Sequence, residues 1–511
     1  MNAHSLPTLS TRGPLRTALA DATLATLTTD ALATFLLGRR WFGGKGRAPQ
    51  SARVRDAVPL FDGASTVARI DVDAGAESAS TYQLPLAVRS VEPPAGDRAP
   101  RAILARVESA DGPGFVFDAL EDEGFRRELG VALAGGARFR GASASWVIEP
   151  IASEPVGDEQ SRVASAEQSN TSVLYDDRAI LKIYRRLSPG ENPDVEIAEF
   201  LERRTLFSHV PRLLGTIRFH DADGSQTVAG MEQRLVPNRG DGWAFALESV
   251  RREVGGDRRS HVLRPFAKSA RRLGVITREL HEALASDPRD PSFAPLPVSE
   301  GDLENWCGRI AVQVKRSGEL LAEHASRGDL TPAARALARE CLAHLPEVPA
   351  RIRGLAASLR DDAGSRIRHH GDYHLGQLLV TTDDDFVVLD FEGEPARPLA
   401  ERRERHSPMR DVAGMLRSFS YATAVGGREL AGRSEAGANL RRWEDEARSA
   451  FLAEYFGERL PSFVPQAPGA ADRLLALFET EKVFYELAYE LNNRPDWVEV
   501  PLAGIARLVA P

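Results

Sequence analysis

The chain has 511 residues, 42% hydrophobic and 27% charged, with a formal charge of −8 and two cysteines. That length exceeds one ordinary core and predicts two or three domains. The acidic balance excludes non-specific nucleic-acid binding as the main task, and Cys307 with Cys341 alone excludes a disulfide framework or a usual thiolate metal site. No apolar run approaches the roughly 18 residues that span a bilayer, and the N-terminus lacks a signal-peptide core. A cytoplasmic protein is expected, with no membrane partner and either monomeric or weakly self-associating.

In chain order, "ALADATLATLTTDALATFLLG" places Leu24, Leu27, Leu32, Phe35 and Leu36 near helical spacing. Short β-like runs follow, "STVARIDV" and "STYQLPLAV". Between them "RRWFGGKGR", residues 39–47, has the glycines and basic residues of a phosphate loop. It lacks the preceding strand and the Gly-Lys-Ser/Thr ending, so it reads as a structural turn. Residues 1–105 form the first predicted segment, 106–236 a second, mainly β segment, and 237–511 a third, mainly helical one.

In the second segment, "AEQSNTSVLYDDRAILKIYRRL" reads as two strands about an Asp-Asp-Arg turn, with Lys182 in the second. A lysine facing inward from an apolar strand needs an anion, which in kinases is a pair of nucleotide phosphates, the lysine being steadied by a helix glutamate. "NPDVEIAEFL" supplies that helix, with Glu196 or Glu199. "EQSNTSV" has no glycine, so Ser169 and Thr171 would cover the phosphates with hydroxyls and backbone amides. "MEQRLVPNRGDGW" ends an apolar strand in a linker, with an adenine expected against the backbone of Gln233 to Leu235.

The third segment carries "HHGDYHLGQLLVTTDDDFVVLDFEGEP", residues 369–395. The runs 378–381 and 386–389, with three aspartates between them, read as a hairpin. Its two strands return the polar group before the first to the acidic group after the second. An Asp, an amide five positions on and a strand-end Asp are the parts of phosphoryl transfer: a proton acceptor, Asp372, and magnesium ligands, Gln377 and Asp390. Glu392 offers a further carboxylate. In "EKVFYELAYELNNRPDW", Lys482, Glu486, Tyr489 and Asn493 share a helical stripe, with Tyr485 and Glu490 beside it and Arg494 and Trp497 after it. Such a stripe suits either a sugar or a solvated face.

These motifs resemble the maltokinase branch of the aminoglycoside-phosphotransferase-like kinases. "HGDYHLGQ" looks like the catalytic loop, "DFEGEP" stands where protein kinases have Asp-Phe-Gly, and Asp411 in the following helix looks like an anchor for the loop backbone. The resemblance implies an α+β, bilobal protein-kinase-like fold: a cap subdomain, a small β-rich lobe and a helical C-lobe. It selects Glu196 as the partner of Lys182. It makes the last long helix a sugar site, with Tyr485, Glu486, Tyr489, Asn493, Arg494 and Trp497, together with His374 of the loop, as binding residues. The implied reaction is Mg2+-dependent transfer from ATP to the anomeric hydroxyl of maltose. A glucosamine kinase or an aminoglycoside phosphotransferase is the alternative, although the glucosamine branch tends to read "DFDGNP". An alternative of another class is a non-catalytic kinase-like partner of trehalose synthase, against which Lys182, Asp372 and Asp390 all stand.

Overall fold

The computed structural model describes residues 6–43, 48–75, 79–90, 102–152, 160–164, 170–256, 265–394, 397–430 and 436–509. The chain divides into two compact units, Met1–Glu199 with Pro211–Val236, and Phe200–Val210 with Pro237–Pro511.

The first unit contains strands β1 (Thr8–Ser10), β2 (Ser51–Leu60), β3 (Ser65–Asp73), β4 (Ser80–Arg89), β5 (Ile103–Ser109), β6 (Gly112–Asp118), β7 (Ala137–Arg140), β8 (Ala144–Pro150), β9 (Ser161–Val163), β10 (Thr171–Tyr175), β11 (Ala179–Ile183), β12 (Arg186–Leu187), β13 (Leu213–Asp221) and β14 (Gln226–Arg234). One sheet has the order β1-β5-β6-β4-β3-β2, with β12 also paired to β4; a second has the order β7-β8-β13-β14-β11-β10-β9. A boundary at 105/106 falls inside β5, and β6 completes the same sheet. The first sheet therefore runs on to Asp118.

The N-terminal helical stretch is broken into Asp21–Leu24 and Thr29–Leu37. Thr28 stops and restarts it: its backbone is extended and its hydroxyl accepts from the Ala31 amide, a cap worth about 1 kcal/mol. Leu24, Leu32, Phe35 and Leu36 bury themselves with Trp41, Phe42, Ile70 and Leu84. The Trp41 and Phe42 rings lie 6.0 and 5.3 Å from that of Tyr82. The "RW" turn is thus an anchor in the first core, while 44–47 lie outside the described residues.

The second sheet closes over Trp146, Ile148, Val173, Leu181, Ile183 and Phe219, covered by the helix Glu123–Gly135, whose N-cap is Asp122. Two buried polar side chains tie the sheets together. Gln83 of β4 donates to the carbonyls of Tyr184 and Ala229. Arg185, fully buried, donates to Asp118 at 2.7 Å and to Thr171 Oγ1 at 2.8 Å, the pairing that a buried guanidinium requires.

The second unit is mostly helical. Its central helix, Met409–Glu429, is buried on nearly every face. Around it lie Gly242–Glu253, Ala436–Phe456 and Ala470–Asn493, with Phe266, Phe419, Trp443 and Phe451 in edge and stacked contacts. The predicted hairpin forms from Leu378–Thr381 and Phe386–Val388, in register Leu378 with Val388. Loop and helix meet closely at Gly414, where a Cβ would sit 2.5 Å from the Tyr373 carbonyl oxygen. Gly414→Ala should therefore force the loop and helix apart at a cost of about 1–3 kcal/mol. A urea midpoint no lower than that of the parent protein would contradict this.

Candidate active site

In the second unit the site begins with a buried carboxylate. Asp411, on the first turn of Met409–Glu429 and 1% exposed, accepts from the amides of His370 at 2.7 Å and Gly371 at 2.9 Å, and from His281 Nε2 at 3.1 Å. The Tyr455 hydroxyl fixes the other His281 nitrogen at 2.9 Å. Burial alone would raise the pKa of Asp411, but neighbouring His369 and the His281 hydrogen bond outweigh it and hold the carboxyl well below its usual range. With these amides held and Gly371 at φ +86°, the loop turns sharply into Asp372.

His370 links this loop to the strand end. Its Nδ1 accepts from the Asp372 amide at 3.3 Å, and its Nε2 donates to the Leu389 carbonyl at 2.8 Å. The hairpin then delivers Asp390, at φ +64°, an uncommon backbone for a residue other than glycine and one that accumulates at functional sites. The Gln377 side-chain amide donates to Asp390 Oδ2 at 3.3 Å, and the Leu389 backbone amide donates to the Gln377 carbonyl at 2.9 Å. Two of the predicted metal ligands are therefore in contact and offer oxygen donors only. Glu392 follows, held at its backbone carbonyl by Arg402 at 3.0 Å.

Asp372 faces a cation that the motif does not contain. Lys482, from the helix Ala470–Asn493, lies 3.7 Å from Asp372 Oδ1 and 3.5 Å from Glu394 Oε1, with its ammonium 5.0 Å from the centre of the Tyr485 ring. Burial would lower the lysine pKa; Glu394 and Asp372 more than offset it and hold it above the ordinary value. Glu394 is itself buried and paired with Arg397 at 2.5 Å. His374 Nε2 lies 3.9 Å from Asp372 Oδ2, and burial lowers the imidazole pKa.

The other predicted sugar residues divide by burial. Glu486, 8% exposed, is engaged by Arg417 at 2.8 Å. Glu490 accepts from Tyr421 at 3.0 Å and from Arg494 at 2.7 Å. Tyr489 is 44% exposed, with the Arg494 guanidinium 5.2 Å from its ring centre. The Trp497 ring is stacked with that of Tyr421 at 6.4 Å, and Asn493 donates to its own helix at the Tyr489 carbonyl.

In the first unit, the alternation of β11 buries Ala179, Leu181 and Ile183 and turns Ile180 and Lys182 to the opposite face. Lys182 is therefore half-buried beside the core strand rather than inside the core. Asp194 lies 3.4 Å from it, two residues ahead of Glu196 on the helix Pro193–Arg204. Asp194 is 1% exposed, with the Tyr184 hydroxyl 3.3 Å away. The sequence pattern offers Glu196 and Glu199 on this helix and does not single out Asp194. The Thr171 hydroxyl accepts from buried Arg185 at 2.8 Å and so also ties the two sheets together. Ser169 lies outside the described residues. Gln233 sits within β14, paired to β11 and β13, and the Leu235 amide is already bonded to the Arg178 carbonyl at 2.7 Å.

Residues 35–122 match the maltokinase N-terminal cap domain. Glucosamine kinase of Streptacidiphilus jiangxiensis is 29% identical over 416 residues, 78% of this chain and 84% of that protein. Glucosamine kinase of Mycolicibacterium smegmatis is 28% identical over 356 residues, 68% of this chain and 79% of that protein. A solved glucosamine kinase in complex with glucosamine, ADP and inorganic phosphate has a TM-score of 0.66 at 22% identity, covering 95% of this chain and 98% of that one. The fold is shared with glucosamine kinase. The matched cap ends at Asp122, the residue that caps Glu123–Gly135, which agrees with the first sheet running past residue 105. No helix among the described residues is long and apolar enough to cross a membrane.

Two substitutions probe the buried anchor. Asp411→Asn keeps the volume but offers one acceptor oxygen where two carboxylate oxygens serve three donors, so it should cost about 3–5 kcal/mol; a loss within experimental error of zero would show the anchor to be dispensable. Below the loop, His369 is buried, and that burial pushes its pKa down to about 3. Unfolded histidine takes a proton near pH 6.5, so acid favours the unfolded chain: stability is full above about pH 6.5 and falls on acidification. Urea midpoints between pH 8 and 5 should show that decline, and His369→Phe should make it shallower.

Proposed function

We propose that the protein is an ATP-dependent sugar kinase whose preferred acceptor is maltose, phosphorylated at the anomeric hydroxyl to give α-maltose 1-phosphate for α-glucan synthesis. The observation that carries this reading is the Asp411 anchor, which fixes the turn presenting Asp372 and, through His370, ties that turn to Asp390. An isolated aspartate capping a turn needs no such bracing.

In this reading Asp372 orients the acceptor hydroxyl and takes its proton as the oxygen bonds to the γ-phosphorus and the bond to the ADP leaving group breaks. An anomeric hydroxyl is more acidic than an ordinary alcohol, so a weakly basic carboxylate suffices. Lys182, held by Asp194, would neutralise nucleotide phosphates. The oxygen donors Gln377 and Asp390, with Glu392 beside them, fit magnesium, which takes one or two carboxylates together with phosphate oxygens. When bound, the ion would neutralise charge on the transferring phosphoryl group. Most of the rate would come from positioning and electrostatics.

The cap-domain match supports maltose, as does the sugar helix. From Lys482 to Tyr489 the helix rises about 10 Å, a span suited to two linked pyranose rings, with Tyr489 as an exposed platform. The second reading, a glucosamine kinase, is favoured by the two relatives and their coverage. ADP release with magnesium and ATP across maltose, glucose, glucosamine and trehalose separates them, with the product identified by phosphorus NMR. An anomeric phosphate from maltose is expected. Asp372→Asn should keep ATP binding and turn over at least about a hundredfold more slowly; near-parental turnover would remove Asp372 from its role.

A further inference from the structure

The carboxylates around Asp372 are matched to cations. Lys482 serves Asp372 and Glu394. Arg397 and Arg410 serve Glu394 and Glu481. Farther along the helix, Arg417 pairs with Glu486 and Arg494 with Glu490. Among the described residues the ion-paired cluster around Asp372 holds the acids Asp372, Glu394 and Glu481, with the more exposed Glu401 at its edge, and the cations Lys482, Arg397 and Arg410, so the acids beside Asp372 already have cationic partners.

We propose that Lys482 is the specificity-determining residue of the acceptor site: its ammonium beside Asp372 admits neutral sugars and turns away protonated amino sugars. The inference rests on the reading of Asp372 as the residue that meets the acceptor hydroxyl. A sugar ammonium bound there must give up water and find an anion. Asp372 and Glu394 are at hand, and Lys482 already pairs with both. The incoming charge would instead meet a fixed like charge, held in place by two carboxylates and by the Tyr485 ring. A neutral hydroxyl at the same ring position meets no such repulsion, and Lys482 can donate a hydrogen bond to it.

Juxtaposed like charges in a partly desolvated site are costly, so the discrimination should be at least about tenfold. Glucose and glucosamine differ only at C2, which makes them the appropriate pair. Their kcat/KM values are measured on the full chain with ATP and magnesium, at a pH where glucosamine is protonated. Where a variant turns over too slowly, their dissociation constants in the presence of ADP replace the rates. The parent should favour glucose. Lys482→Met, which keeps the stem and removes the charge, should shrink the glucose-to-glucosamine ratio at least about tenfold, whereas Lys482→Arg should retain it.

If Lys482 merely positions Asp372, both sugars fall together in Lys482→Met and the ratio stays put, which overturns the proposal. A parent enzyme that favours glucosamine also overturns it while leaving the kinase reading intact. Failure of every sugar to bind or react sinks the kinase reading and this inference together, a pattern distinct from both others.

Discussion

The second unit is organised around a carboxylate shielded from water. Asp411 accepts three hydrogen bonds, two from loop amides and one from His281, and each donor would be a buried unsatisfied group without it. A buried charge is tolerated only when paired and fully hydrogen-bonded, so the position of Asp411 dictates where residues 370 and 371 run. The loop inherits the rigidity of a central helix. Because His370 also reaches the Leu389 carbonyl, the same constraint extends to Asp390 across the hairpin.

Around this scaffold of backbone bonds lies a dense set of charges. Lys482, Arg397 and Arg410 face Asp372, Glu394 and Glu481 within ion-pair distance. Exposed pairs of this kind contribute little to stability, but these groups are largely buried, where the field of each cation on its neighbour is strong. The consequence is chemical rather than structural: the charge environment of Asp372 is set by the protein's own ion pairs. In the first unit, Lys182 and Asp194 form a smaller arrangement of the same kind, on the face of β11 opposite the core.

Local pattern made much of this legible. The hairpin at 378–388 was readable because two apolar runs flank three aspartates, and its polar flanks could be expected to meet because the two strands return on each other. Asp411 is named as an anchor through the family resemblance, and its bonds to the His370 and Gly371 amides are what the fold shows. The extent of the first sheet could not be read, since β5 and β6 look like the start of a new β segment until the pairing of β6 with both β5 and β4 is known. That the Thr171 hydroxyl accepts from Arg185, farther along the chain, could not be read from its small polar neighbours. Glu196 is selected over Glu199 on resemblance, and the helix geometry also brings Asp194 to the lysine.

The sequence by itself determined the element types, the two-strand frame of the metal-binding candidates, and the presence of a lysine, two aspartates and an amide in the order that phosphoryl transfer uses. These depend on periodicity and spacing over a few residues, which survive without knowledge of distant neighbours. Only the tertiary structure decided which charges meet. Lys482 lies 110 residues beyond Asp372 in the chain and stands 3.7 Å from it in the fold. His281, itself held by Tyr455 of a third helix, reaches Asp411 from another part of the chain. Such contacts are fixed by helix packing around Met409–Glu429, and no local pattern encodes them, because ion pairing depends on separation in space and on the exclusion of water.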